Sequence, residues 1–293
     1  RDKESTAMQF IIFLIFIVSG CNAPDSDIPG IHIAPPDTNT SDPQSPDTGN
    51  PQPQPLPPGS APHTYTTDVL LFNGIGVSTS DANTLAQIIK DHGLSHRMVN
   101  SSQLDGMSLD QIAAYGLIII PGGYGNQITN GLKIATRIRI RDAVRERGIS
   151  YLGFCAGAWV AVGPTPAPGT AASYGFAIVT GSILKLYLPD GREPTAAMVD
   201  INFADQTKRD LVWWGGPYVP EWKDGVISRY ETGQPAMSQT WAGNGFVVIS
   251  GIHPEAPQGW RDGQGLRDSD GLDYDVAFKL IVAALNRKAL PVF

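Results

Sequence analysis

Cysteine is nearly absent from this chain: its 293 residues contain two, Cys21 and Cys155, too few for a disulfide framework. No block of Lys or Arg occurs anywhere, and the formal net charge is −7 with a pI near 5.1. That balance excludes the basic face a nucleic-acid binder needs. Histidines number five, so candidates for a general base or a metal ligand are few. There is no internal repeat, and no apolar stretch after the first twenty residues is long enough to span a bilayer. What is present, 42% hydrophobic and 17% charged residues, suits one sizeable globular domain joined to non-globular sequence.

The N-terminal sixty residues account for the non-globular part. Phe10 to Val18 is an unbroken apolar run preceded by Arg1 and Lys3, too short for a stable membrane anchor but of the length of a signal-peptide core. It leads into Val18-Ser19-Gly20-Cys21, which resembles the lipobox of bacterial lipoproteins. Residues 1–20 are therefore expected to be a lipoprotein signal peptide, with Cys21 lipidated. The protein is expected in the bacterial cell envelope, either at the outer membrane facing the periplasm or at the cell surface. The competing reading is a buried strand, or a cleaved signal with an incidental cysteine. Acyl chains contribute about 0.8 kcal/mol per buried CH₂, so several anchor firmly where one does not. Residues 22–62 hold twelve of the 24 prolines, five Asp and no Lys or Arg. Such a segment buries too little surface to offset its ordering entropy, so residues 21–65 are expected to form a tether. In polyproline II form, at about 3.1 Å per residue, it would reach roughly 120 Å.

From Thr66 the pattern changes, and residues 66–293 read as one α/β domain. Asp68–Asn73, Ser95–Val99, Tyr115–Ile120 and Ile149–Phe154 are expected strands, alternating with helices over Ser80–His92 and Gly131–Arg147. That alternation implies a parallel sheet covered on both faces. Further strands are expected at Phe176–Thr180, Ile183–Leu188, Ala197–Asn202, Val226–Tyr230 and Phe246–Ser250, with a closing helix over Asp273–Arg287. Sites in such sheets gather at the carboxyl ends of strands. Asn73-Gly74, Pro121-Gly122-Gly123 and Cys155 are all such ends.

Gly153-Phe154-Cys155-Ala156-Gly157 has the spacing of a nucleophile elbow, a sharp strand-to-helix turn that exposes a strained nucleophile. The helix N-terminus beyond it favours a thiolate. A buried core cysteine is the competing reading. Gly251-Ile252-His253-Pro254-Glu255 follows the apolar strand Phe246–Ser250. His32 and His63 lie in or beside the tether, and His92 and His96 read as surface residues, which leaves His253. A cysteine nucleophile needs a base, and the base an orienting group; Cys155, His253 and Glu255 supply these types. The plain alternative is a strand-end histidine with Glu255 on the surface. Gly122 and Gly123 let backbone N–H groups turn into a site, where they can stabilise an oxyanion alongside the amide of Ala156. Trp213-Trp214-Gly215-Gly216-Pro217-Tyr218 is a candidate pocket wall, contributing Trp214, Gly215 and Gly216, with at least one of the two tryptophans expected in the core. Arg229 and Tyr230 are either a carboxylate-binding pair or a solvated strand edge.

With these segments in chain order, the domain resembles the class I glutamine amidotransferase-like superfamily, and more narrowly the family named for the N-terminal domain of eukaryotic biotin–protein ligase. The matching stretches are Leu71–Ser78, Ile118–Tyr124, Tyr151–Ala158, Trp214–Tyr218 and Val248–Glu255. The resemblance implies a flavodoxin-like three-layer sandwich with a mostly parallel central sheet and additional β-hairpins, and a Cys-His-Glu triad. It does not imply biotin ligation, since the chain has no glycine- and arginine-rich biotinyl-adenylate loop. Nor does it imply glutaminase activity, because the residue four after the nucleophile, usually Gln in true glutamine amidotransferases, is Trp159.

The function expected is thiol-dependent hydrolysis of a small amide or peptide, with no cofactor and no metal. Beyond the membrane, the expected partner is an unidentified small-molecule or peptide ligand, not nucleic acid. A non-catalytic ligand-binding module that keeps the elbow as scaffold is the alternative from another class, and a redox or glyoxalase-like thiol is a third.

Overall fold

A computed structural model describes residues 63–189 and 195–293. The expected signal peptide, Cys21 and the expected tether through residue 62 lie outside the described residues. Among those described, no helix is long and apolar enough to cross a membrane.

The first half alternates strand and helix. β1 (Thr67–Phe72) leads into α1 (Thr79–Asp91), then β2 (His96–Val99) and two short helices, α2 (Ser101–Gly106) and α3 (Leu109–Ala113). β3 (Tyr115–Ile120) is followed by α4 (Gly125–Asn130), α5 (Ile134–Arg145), β4 (Ser150–Phe154) and α6 (Ala156–Ala161). The second half is mainly strand. Four two-residue strands, β5 (Val162–Gly163), β6 (Val179–Thr180), β7 (Lys185–Leu186) and β10 (Pro217–Tyr218), pair outside the main sheet. β8 (Ala197–Phe203), β9 (Lys208–Trp213), β11 (Val226–Tyr230), β12 (Pro235–Ala242) and β13 (Gly245–Ser250) extend it, before α7 (Gln258–Gln264) and α8 (Tyr274–Asn286) close the chain.

The nine-stranded sheet has the order β2-β1-β3-β4-β13-β12-β11-β8-β9. Its first five strands run parallel, in the flavodoxin-like order, and the last four are added antiparallel. Side chains of one strand alternate between the two faces. Leu70 and Phe72 of β1 join Ile118 and Ile120 of β3 in a core beneath α2, α3, α5 and α6. Val69 and Leu71 join Leu117 and Ile119 in a second core under Leu85, Ile88 and Ile89 of α1 and Leu280 and Ile281 of α8. Helices on both faces are why β3 and β4 are buried at every position, and why they are apolar apart from Ser150. The result is an α/β three-layer sandwich with a parallel core.

Several expected elements are corrected. The helix predicted over Gly131–Arg147 begins only at Ile134, because the chain turns through Gly131-Leu132-Lys133 between α4 and α5. Only Val179–Thr180 and Lys185–Leu186 of the strands predicted near 176 and 183 pair. β9 and β12 were not foreseen.

Candidate active site

Four parallel strands deliver their carboxyl ends to one edge of the sheet. There β1 runs into Asn73-Gly74, β3 into Pro121-Gly122-Gly123, β4 into Cys155 and β13 into Gly251-Ile252-His253.

Cys155 has φ 45° and ψ −100°, a backbone region costing a non-glycine residue about 1–3 kcal/mol. Its N–H donates to Ser250 O at 2.8 Å, which fastens the turn to the end of β13. The flanking glycines are steric necessities. A Cβ on Gly157 would lie 2.0 Å from the Ile120 carbonyl oxygen, and one on Gly153 would lie 2.5 Å from Gly157 backbone atoms. Helix α6 thus packs directly onto the end of β3, and Cys155 is left 4% exposed. Its Sγ lies 3.6 Å from Trp214 O, to which the thiol donates.

His253 is held by its own backbone, its N–H donating to Val212 O at the end of β9 at 2.9 Å. Ser250 Oγ stiffens the approach, donating to Ile252 O and accepting from Ile252 N–H. Nδ1 of His253 donates to Glu255 Oε1 at 2.8 Å, leaving Nε2 as the ring nitrogen free to serve the thiol. Burial would lower the pKa of this ring. The charge of Cys155 and its hydrogen bond to the imidazole outweigh that, and the net direction is upward. Burial pushes Glu255 up to about 8, with the neighbouring Asp81 carboxyl and the charge of Arg261 acting the other way.

Three surrounding residues were not foreseen. Asp81, at the start of α1, is fully buried; its Oδ2 lies 3.7 Å from His253 Nδ1 and accepts the Gly122 N–H at 2.7 Å. Burial, and then the charge of Glu255, push its carboxyl well above the usual range. Trp260 of α7 sits edge-on to both His253 (5.1 Å) and Trp214 (5.3 Å), and its Nε1–H donates to Ser80 Oγ. Tyr174 packs beside Trp159 and Gly125; burial, then the charge of Cys155, raise its pKa. In the sequence Asp81 looks like an ordinary first-turn helix acid, and Trp260 follows the site motif in an unremarkable loop.

The candidate oxyanion donors divide. The Gly122 amide is engaged by Asp81, which removes it from that role. Gly123 forms an isolated antiparallel bridge with Val77, whose hydrogen bonds are made by neighbours, Ser78 N–H to Gly122 O and Tyr124 N–H to Gly76 O. In such a pair the bridging amide points away from its partner strand, so Gly123 N–H stays available. Its φ of 140° and a Cβ position 2.1 Å from Gly76 O demand glycine. Ala156, first residue of α6, has no intrahelical acceptor for its N–H.

On the other wall, Trp214 contributes its carbonyl and the ring that meets Trp260, while Trp213 is core and donates to Gly216 O. Gly215 makes the turn at φ 67°. Gly216 is a packing position rather than a pocket lining, since a Cβ there would meet Gly251 O at 1.7 Å. Arg229 pairs with Glu221, away from the site, while the buried Tyr230 hydroxyl donates to Pro217 O; burial and then the charge of Cys155 raise its pKa. His63 contacts Tyr115 O, and His92 stacks on Phe278, both elsewhere.

Among the described residues, two clusters bring potential metal-ligating atoms within 4.8 Å of one another. In Asp81-His253-Glu255, Nδ1 is already committed to Glu255. In Asp210-Asp268-Asp270, Arg261 holds Asp268, Arg209 faces Asp270 and the Ser269 amide donates to Asp210.

Residues 67–164 match the family described as biotin-protein ligase, N terminal. The matched stretch contains Asp81, Gly122, Gly123, Cys155 and Ala156, and stops short of Trp214 and His253. A CTP synthase from Paracoccus denitrificans (strain Pd 1222) is 31% identical over 85 residues, 27% of this chain; the match spans only 15% of that enzyme's length. Among solved structures, a glutamine amidotransferase (21% identity, TM-score 0.43) aligns over 64% of this chain and 90% of its own. The glutaminase domain of a Trypanosoma brucei CTPS (12% identity, TM-score 0.44) aligns over 77% and 96%.

Proposed function

We propose that this domain is an amidotransferase-like thiol hydrolase acting on a small amide or peptide, with Cys155 as nucleophile, His253 as base and Glu255 as its orienting carboxylate. The observation that carries the reading is one buried cluster: Glu255 fixes Nδ1 of His253, and the ring lies near enough to Cys155, on its positive-φ elbow, for the charge of the sulfur to favour the protonated imidazole. In the first half-reaction the Cys155 thiolate attacks the amide carbonyl. The oxyanion is met by the amides of Ala156 and Gly123, the C–N bond breaks, and protonated His253 gives its proton to the departing amine. Water, deprotonated by His253, then attacks the thioester, releasing the acid and restoring the thiolate. The resemblance to the biotin–protein ligase N-terminal family and to the glutamine amidotransferase-like superfamily supports the class of chemistry, while Trp159 in place of Gln argues against glutamine as substrate.

The setting belongs to the same proposal. A lipid on Cys21 and a proline-rich tether hold the domain at the cell envelope, a reading supported by the apolar run and the small residues before Cys21. Intact-mass measurement of the mature protein tests it, because absence of an acyl addition contradicts it.

The nearly closed thiol, 4% exposed, favours a second reading, a ligand-binding module in which the elbow is scaffold. A hydrolysis screen over small amides and peptides, with Cys155→Ala as control, separates the two. Release of amine by the native chain and none by the variant supports hydrolysis. Ligand binding that both proteins retain, without turnover, supports the module.

A further inference from the structure

We infer that Asp81 is a positioning residue of this site, a carboxylic acid that keeps its proton and donates it to Glu255 while accepting the Gly122 amide. The inference rests on the proposed role of Glu255, and deepens it.

The geometry begins at the first turn of α1. Ser78 caps the helix, accepting from the Asp81 amide at 3.4 Å. An acid at this position ordinarily turns to solvent and meets the helix N-terminus as a carboxylate. Asp81 instead turns inward and is 0% exposed, beside Glu255, also 0%. One oxygen of each carboxyl is accounted for: Asp81 Oδ2 by Gly122 N–H, and Glu255 Oε1 by His253 Nδ1–H. The other two, Asp81 Oδ1 and Glu255 Oε2, are buried without a partner. Two orphaned acceptors on neighbouring buried carboxyls are both satisfied by a single proton between them. Two adjacent carboxylates in a dry site cannot both ionise.

The surroundings decide which acid holds that proton. Glu255 faces the His253 ring, and Arg261 of α7 lies near enough for its charge to favour the ionised form. Tyr274 of α8 also feels the Glu255 charge. Asp81 has Glu255, the more distant His253 nitrogen and the single Gly122 amide. Glu255 is therefore the first to ionise and Asp81 the one that stays neutral. Once Glu255 has ionised, the base is held by a carboxyl pair of one negative charge, tied through Asp81 to the Pro121-Gly122-Gly123 loop.

Infrared difference spectroscopy tests the proton directly, on the full-length chain at about pH 9, where Glu255 is ionised. Native minus Asp81→Asn should show the carbonyl stretch of one protonated carboxylic acid; its absence overturns the inference. The band needs no activity, so its failure is separate from failure of the hydrolase reading. Alkylation of Cys155 by iodoacetamide gives the second readout. Asp81→Ala should slow it about tenfold or more at about pH 9, where Glu255 is ionised, through loss of a buried hydrogen bond to a charged acceptor. Asp81→Asn, which keeps one donor and one acceptor, should restore most of that loss. Equal defects in Asn and Ala overturn the inference.

Discussion

Replacing Gly157 by Ala is a direct test of how the elbow is built. The added methyl would stand 2.0 Å from the carbonyl oxygen of Ile120 and 2.9 Å from its carbonyl carbon. Van der Waals contact requires about 3.4 Å or more, and the obstacle is the backbone of a buried central strand rather than a flexible side-chain tip. Overpacking of this kind costs about 1–3 kcal/mol, and α6 must lift from β3 to accommodate it. Gly106→Ala is the control, since a Cβ there meets nothing within 4 Å. By narrowing the unfolded ensemble, that change should stabilise by about 0.4–1 kcal/mol. The two variants should therefore differ by about 1.4–4 kcal/mol in urea unfolding, with slopes unchanged. Melting temperatures should separate by about 3–16 °C, at 2–4 °C per kcal/mol for a domain of this size. Equal stability of the two would refute the close approach of α6 to β3, and with it the strained geometry assigned to Cys155.

Stability should also depend on pH through the buried carboxyls. Glu255 titrates at about 8 when folded against 4.5 as its ordinary value, so its contribution is complete below about 4.5 and is lost as pH rises through 8. Glu255→Gln mimics the protonated acid and should flatten this alkaline loss, whose upper bound is roughly 5 kcal/mol; melting curves from pH 5 to 9 measure it, and an unchanged slope contradicts the assignment. Arg261 is buried, pairs with Asp268 and Asp273 and donates to Ala256 O. Arg261→Ala leaves the fully buried Asp273 with a weaker partner set, and should cost about 3–5 kcal/mol in urea unfolding; a loss below 1 kcal/mol would contradict that account.

The parallel core was legible in the sequence for a simple reason. Strands covered on both faces are apolar at consecutive positions, as in Tyr115–Ile120, and α1 announces itself through its Leu85-Ile88-Ile89 face. The antiparallel extension carries no such mark. β12 starts at Pro235 and buries Ser238 and Gln239, whose side chains bond Pro220 O and the backbone of Leu290. β9 opens with Lys208-Arg209-Asp210, a polar strand end at the sheet edge. Cys155, His253 and Glu255 were singled out because each ends a core strand or lies just beyond one. Asp81 was invisible, since a first-turn acid is commonplace and only tertiary packing turns it inward. The Gly122 amide was misassigned for the same reason: its acceptor lies 41 residues earlier in the chain.

The central claim, a thiol activated by His253, is tested most directly by the rate of Cys155 alkylation at neutral pH in the native chain and in His253→Ala, with the modified peptide located by mass spectrometry. The account predicts fast labelling of Cys155 in the native chain and a loss of about tenfold or more when the imidazole is removed. Labelling that is slow and indifferent to His253 would contradict it, leaving Cys155 a core residue.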